Sequence, residues 1–315
     1  MRTPPALREG IRPIFIIGAP RSGTSIMTWA IGQHPNIQTM EETNWIATSA
    51  VAGYLSHAIG SSRGLRTHLS NSQYPLQTFL HRLGEFADAV VRDCFDERSK
   101  RFYGDSVKSE ALLLRGSHNP EFKLLGSPSD PKQRWIDGTP LNTHFTWALA
   151  QMFPEAVFIH NLRRPEDVAT SLEGFDTTGA TSAPLADGLE TWMQHTQAAA
   201  LAEQAFGAQR VFRLRFERIG DDAEQLFRDL LKFLGEPYCP DCVATVRHRL
   251  NSSDVSDRRQ ANAEAMLEMP GFLRASSLYW QLQNNRPPPP DAVSEAALSQ
   301  LRDDFEAYCN DRSLL

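Results

Sequence analysis

The chain has 315 residues, 41% of them hydrophobic and 22% charged, the composition of a folded globular protein with a sizeable core rather than a disordered one. A formal net charge of -6 argues against a nucleic acid or an anionic membrane as partner, although it leaves room for a local basic cleft. No apolar run approaches the length of a bilayer span, and the first residues, MRTPPALREGIRP, contain no apolar signal-peptide core, so a cytoplasmic protein is expected. Length alone allows one large domain or two ordinary ones, and no internal repeat is apparent.

The first element is a four-residue apolar run, Ile14 to Ile17, between Pro13 and Gly18. It reads as a buried parallel strand, though so short a run does not exclude a helix on pattern alone. Gly18-Ala19-Pro20-Arg21-Ser22-Gly23-Thr24-Ser25 follows as a tight turn, and Ile26, Trp29 and Ala30 then fall at helical spacing up to Gly32. A strand, a glycine loop and a helix start aim free N–H groups and a positive helix end at one spot, which suits phosphate or sulfate. An ordinary strand-turn-helix is the plainer alternative. Gly18-x-x-x-x-Gly23 has the spacing of a nucleotide-triphosphatase loop, but Thr24 stands where that loop needs Lys, and Arg21 is a cation within the loop instead. The pattern G-x-P-R-S-G-T-S resembles the 5′-phosphosulfate loop of sulfotransferases that use 3′-phosphoadenosine-5′-phosphosulfate (PAPS).

His34-Pro35 ends the first helix, and the chain returns past the loop through Glu41-Glu42-Thr43. These carboxylates read either as a solvated pair or as part of a site. The stretch resembles the motif H-P-x-x-x-x-x-E-E-T of the tyrosylprotein-sulfotransferase branch, which implies Glu42 as the general base for an acceptor hydroxyl. Tyr54 to Gly60 and Leu76 to Cys94 are predicted helical, with Gly60 to Arg66 as a loop. Residues 45–129 are assigned as a helical region for acceptor selection, by likeness to relatives.

Arg134 to Pro140 resembles the family's strand end E-K-T-P, followed by a helix from Leu141 to Phe153. Gly138 occupies the position of a Lys that in relatives reaches the bridging oxygen of PAPS, and Pro140 the position of a His used in the cytosolic branch. The missing cation must come from elsewhere, with Arg21 and the pair Arg258-Arg259 as candidates. Ala156 to His160 reads as a second buried strand. The continuation to Ser171 resembles the family's 3′-phosphate motif I-H-x-x-R-x-P-x-D-x-x-x-S-L. Arg163 would end the strand and supply a bidentate cation, and Pro165 suits the first turn of a helix that carries Ser171. A solvated arginine pair at a strand-to-helix turn is the alternative. The tyrosylprotein branch has a further Arg where this chain has Phe175.

A helix is expected over Leu189 to Phe206, a strand over Arg210 to Glu217 and an amphipathic helix over Asp222 to Leu234 ending at Gly235. Phe216 replaces a cofactor-contacting Tyr of the family. Asn251 to Arg259 reads as a polar loop, from which the resemblance offers Ser253 and Arg258 as cofactor contacts; a solvated loop is the alternative. Pro287 to Pro290 form a stiff spacer before a helix over 291–309. Cys239-Pro240-Asp241-Cys242 is a lone C-x-x-C with His248 beyond it. No second pair completes a zinc site and no thioredoxin-like unit is evident around it, so Cys94, Cys239, Cys242 and Cys309 read as reduced structural thiols.

The resemblance implies one α/β domain over 12–315, with a mainly parallel sheet, helices on both faces and a P-loop type of nucleotide site. It implies sulfuryl transfer from PAPS to a hydroxyl of a carbohydrate, lipid or small natural-product acceptor, releasing adenosine 3′,5′-bisphosphate, without a metal. The implied site is Glu42 and Arg21 for catalysis, with Arg21, Ser22, Gly23, Thr24, Ser25, Arg163, Ser171, Phe216, Ser253 and Arg258 around the donor. A P-loop kinase or nucleotide-binding protein, and an inactive PAPS-binding homologue, are the alternatives.

Overall fold

The apolar run Ile14–Ile17 (β1) is the middle strand of a five-stranded parallel sheet. A computed structural model describes residues 10–103, 112–113, 123–124, 132, 134–173, 184–247 and 256–312. The strands are β1, Ile37–Thr39 (β2), Leu112–Leu113 (β3), Lys123–Leu124 (β4), Arg134–Asp137 (β5), Val157–Leu162 (β6) and Val211–Arg215 (β7). The sheet order is β2-β5-β1-β6-β7, and β3 pairs with β4 apart from it. Ile14 faces Ile136 on one side and Val157 on the other, and the register runs on to Ile17 opposite His160.

Every residue of β1, β5 and β6 is buried, which is why these strands read as unbroken apolar or mixed runs rather than as alternating ones. Successive side chains go to opposite faces. Phe15, Ile17, Trp135 and Phe158 enter one core, covered by Trp45–Ser61 (α2), Leu76–Tyr103 (α4), Thr146–Met152 (α5), Leu185–Phe206 (α7) and Glu295–Arg312 (α12). Ile14, Ile16, Ile136 and Ile159 enter the other, under Thr24–Ile31 (α1), Arg218–Leu234 (α8) and Pro240–Arg247 (α9). Phe15 meets Trp135 edge-on at 5.5 Å and Phe158 stacked at 5.9 Å, each ring contributing about 1.5–3 kcal/mol by burial. His68–Ser72 (α3) lies between α2 and α4, while Pro165–Glu173 (α6), Ser256–Leu267 (α10) and Pro270–Asn284 (α11) share a third cluster with α7.

Several boundaries differ from expectation. The helix expected at Tyr54 begins at Trp45 and runs through Gly60, because its apolar positions continue into α4's face as Ile46, Ala47 and Ala50. The 45–129 region is not helical throughout, since it contains the antiparallel pair β3 and β4. Leu141 to Phe153 splits into a 3-10 turn, Pro140–Phe145, and α5. The expected polar loop Asn251 to Arg259 is helical from Ser256 onward, as α10. A 3-10 turn at Pro290–Ala292 delays the last helix to Glu295. Among the described residues, no helix is long and apolar enough to cross a membrane.

Parallel strands all point one way, so the segments leaving β1, β2, β5 and β6 emerge at the same edge of the sheet. That edge is where open α/β sheets bind ligands. It receives the glycine loop, Glu41-Glu42-Thr43, Gly138-Thr139 and Arg163-Arg164.

Candidate functional site

The glycine loop is held from below by its neighbours. Gly18 has φ 135°, and a Cβ there would lie 2.6 Å from the Asn161 carbonyl oxygen, so only glycine lets β1 and β6 approach so closely. The Gly18 N–H donates to Thr143 Oγ1 at 2.9 Å, and the Thr143 hydroxyl donates to Gly18 O at 3.1 Å. Asn161 Nδ2 donates to Ser22 O at 3.0 Å. Arg21 takes the left-handed conformation at φ 65° and Gly23 at φ 99°. Gly23 is the N-cap of α1, supplies no capping side chain, and is followed by no acidic residue in the first turn. The helix's first N–H groups and its positive end are therefore left for another acceptor. Ser22 is buried, and its Oγ has no hydrogen-bond partner among the described residues. Thr24 is buried beside it, while Ser25 is exposed.

The second cation arrives from β6. Arg163 Nη1 donates to Arg21 O at 3.0 Å, and Arg21 Nε donates to Ser171 Oγ, on α6, at 3.1 Å. The Arg163 guanidinium lies 4.8 Å from the centroid of the Phe216 ring. That ring also closes on the loop, since a Cβ at Gly23 would sit 2.1 Å from Phe216 Cε2. Trp192 Nε1 fixes the backbone behind it by donating to Arg163 O at 2.9 Å. Burial lowers the pKa of both arginines; Arg163 lowers Arg21 further while Glu42 opposes that, and Asp167 and Glu217 oppose it at Arg163. An anion shared by two such guanidiniums would relieve their mutual repulsion.

Glu42 reaches the same edge on a segment that is pinned to β5. The Thr43 N–H donates to Thr139 Oγ1 at 2.8 Å, and the Thr43 hydroxyl donates to Asp137 Oδ2 at 2.8 Å. Asp137 is fully buried and also accepts from Thr139 N at 2.9 Å, Thr139 Oγ1 at 2.6 Å and Asn142 Nδ2 at 3.0 Å. The Glu42 side chain keeps a solvent-facing side, yet the surrounding protein raises its pKa by desolvation, Asp137 raises it further, and Arg21 lowers it. Beside it is a cavity of about 220 Å3 lined by Met40, Trp45, Val91, Cys94, Phe95 and the segment 41–43. A larger groove of about 420 Å3, along α3 and α4, includes none of the expected site residues.

Gly138 shows why no Lys stands at its position. A Cβ there would meet Thr28 Oγ1 at 2.1 Å, because the chain crosses directly against α1. Of the cations named as substitutes, Arg21 is in the loop, and Arg259 pairs with Asp167 on α6 at 2.8 Å. Ser253 and the side chain of Arg258 lie outside the described residues, as do Phe175 and His248.

A family model described as the sulfotransferase family matches residues 13–241. The chain belongs to the sulfotransferase family. An uncharacterized protein of Aquifex aeolicus (strain VF5) is 24% identical over 234 residues, which cover 72% of this chain. The chain spans about a quarter of that relative's length, 26%. In shape the chain is similar to the sulfotransferase domain from the Synechococcus PCC 7002 olefin synthase, with 17% identity, a TM-score of 0.45, and coverage of 97% of this chain and 98% of that one. It is also similar to sulfotransferase STF9 from Mycobacterium avium, with 15% identity, a TM-score of 0.41, and coverage of 84% and 78%.

Within this sulfotransferase-family chain, the residues that hold the expected site together went unnoticed in the sequence. Asp137, Thr139, Thr143 and Asn161 touch the loop or the Glu42 segment but lie far from them along the chain. One signal for Asp137 was available: a charged residue at a buried strand end needs partners.

Proposed function

We propose that the protein transfers a sulfuryl group from PAPS to an acceptor hydroxyl, leaving a sulfate ester and adenosine 3′,5′-bisphosphate. The observation that carries this is the meeting of Arg21, Arg163 and Ser171 at the uncapped start of α1. The group fits the residues present: an unpartnered buried hydroxyl at Ser22, unclaimed helix N–H groups and two crowded guanidiniums all suit an anion. The 5′-phosphosulfate would lie on residues 21–25, and the 3′-phosphate would take Arg163 and Ser171, with Phe216 as an apolar wall.

In the transfer, the acceptor oxygen forms a bond to sulfur as the bond from sulfur to the phosphate oxygen breaks. Glu42 takes the acceptor's proton and later releases it to water, and its raised pKa makes it a stronger base than an ordinary carboxylate. Arg21 and the loop N–H groups offset the charge that grows on the leaving oxygen, the role for which Gly138 offers no side chain. Catalysis is then mostly positioning and electrostatics.

Among the acceptors considered, the cavity beside Glu42 favours a lipid or small natural-product alcohol over a carbohydrate, because Met40, Trp45, Val91 and Phe95 offer hydrocarbon rather than hydrogen bonds. Neither a nucleic acid nor a metal enters this scheme, and a cytoplasmic setting suits it. The test is radiolabelled PAPS offered with a panel of apolar alcohols, phenols and sugars. Label should move to apolar hydroxyl compounds; tight PAPS binding with transfer to none would instead make the chain an inactive binding homologue.

A further inference from the structure

The sulfuryl-transfer scheme leaves Cys239-Pro240-Asp241-Cys242 unused, and the structure corrects what the sequence suggested about it. The pair does open a helix. Pro240 is the first residue of α9, so Cys239 lies immediately before the first turn and Cys242 within it. Positions three apart at such a start share one helix face with Cβ atoms about 5–6 Å apart, so a small inward shift brings them to the roughly 3.5–4.5 Å that a disulfide spans at Cβ. Both thiols are free. Among the described residues no third ligand joins them to make a metal site.

The two sulfurs are not equivalent. Cys239 keeps 9% of its surface exposed, whereas Cys242 is fully buried and its thiol points at the Ile31 carbonyl, 4.0 Å away at the end of α1. The Cys239 thiol is pushed down to about 6 by the hydrogen bond from Cys242, with help from the backbone at Asp241 and Cys242. Cys242 moves the opposite way, as the partner that keeps its proton. A thiol at a helix start that keeps a small exposed surface, beside a fully shielded partner three residues on, is the arrangement of an attacking and a resolving cysteine.

We propose that Cys239 and Cys242 are a redox-active dithiol that closes to an intrachain disulfide on reaction with a low-molecular-weight disulfide. The Cys239 thiolate attacks one sulfur of that reagent, its S–S bond breaks, and the departing thiolate takes up a proton. Cys242 then loses its proton and attacks Cys239 Sγ in the mixed disulfide, releasing the second small thiol. The protein pair is oxidised by two electrons and one small disulfide is reduced to two thiols. Closure removes the Cys242 proton and moves a sulfur that lies 4.0 Å from Ile31 O, at the end of α1; the glycine loop is at the other end of the same helix. None of this depends on the donor assignment.

The full chain is incubated with oxidised glutathione, quenched with acid, alkylated, and read by intact mass and peptide mapping. The expected result is a loss of about 2 Da at the peptide containing both cysteines, with protection from alkylation that dithiothreitol reverses. Cys94, exposed and without a neighbouring cysteine among the described residues, serves as the internal control and takes up a glutathionyl group instead. Cys242→Ser should stop at a mixed disulfide on Cys239, and Cys239→Ser should leave Cys242 unmodified. Alkylation of both cysteines under conditions that modify Cys94, or a mixed disulfide on Cys239 that persists in the wild-type chain, overturns the proposal. The wild-type map alone decides if either serine variant does not fold.

Discussion

The Arg163 guanidinium donates a 3.0 Å hydrogen bond to the backbone carbonyl of Arg21, a residue 142 positions earlier in the chain. That single bond joins the turn after β1 to the turn after β6 and sets two cations side by side. Arg163→Ala removes the bond, the stacking on Phe216 and a charge proposed to meet the 3′-phosphate. Affinity for adenosine 3′,5′-bisphosphate should fall by about 10- to 100-fold, as for the loss of a hydrogen bond to a charged group. Titration calorimetry on folded variant and wild type checks it.

Glu42→Gln should reduce turnover by about 100-fold or more while leaving bisphosphate affinity nearly unchanged. The same change also tests the carboxyl's environment. Glu42 has a raised pKa in the folded protein, so the native state holds that proton more tightly than the unfolded chain does. The stabilisation this brings is present at low pH and lost as pH rises through the folded pKa, where ionisation costs stability. The Gln variant should therefore melt above wild type near neutral pH, and the gap should close below about pH 4. Melting curves across that range would expose an error if the order were reversed.

Asp137 acts on Glu42 through Thr43 and through its own charge, and so is a positioning residue rather than a catalytic one. Asp137→Asn keeps the size but offers an N–H where Asn142 already donates. Turnover should drop by about 100-fold with bisphosphate affinity little changed, as expected from displacing a catalytic group slightly. Because Asp137 raises the Glu42 pKa, the acidic limb of the pH–rate profile should move to lower pH in the variant. A purely structural role would lower activity without moving that limb.

At Gly138 the obstacle to a side chain is Thr28 Oγ1, itself bonded to Thr24 O at 2.9 Å. Gly138→Ala should destabilise the fold by about 1–3 kcal/mol through overpacking. Adding Thr28→Ala removes the obstructing hydroxyl and should recover more than half of that loss. Urea unfolding of the two single variants and the double variant measures the coupling directly.

The parts of the fold that read well from the sequence are those whose signal is local. Ile14 to Ile17 carries its own burial, Gly235 ends α8 in the left-handed conformation, and Pro165 opens α6. Motif likeness, which stores long-range information that spacing does not, points to the turns that carry Arg21, Arg163 and Ser171 but sets them at opposite ends of a nucleotide, not in the direct hydrogen-bond contact that the structure has. What stayed hidden depends on contacts between distant segments. The bond from Thr43 to Asp137 spans 94 residues, and that from Thr143 to Gly18 spans 125. The start of α9 at Pro240 is not legible because a helix of eight residues is too short to show clear periodicity, and tertiary packing on α1 and α8 completes it.

The donor assignment is tested most directly by comparing adenosine 3′,5′-bisphosphate with adenosine 5′-phosphate by calorimetry, in wild type and in Arg163→Ala. The wild-type chain should bind the bisphosphate at least about 10-fold more tightly, and the variant should lose most of that preference while still binding the 5′-phosphate. Equal affinity for the two nucleotides in the wild-type chain, or a preference that survives in the variant, would contradict the placement of the 3′-phosphate at Arg163.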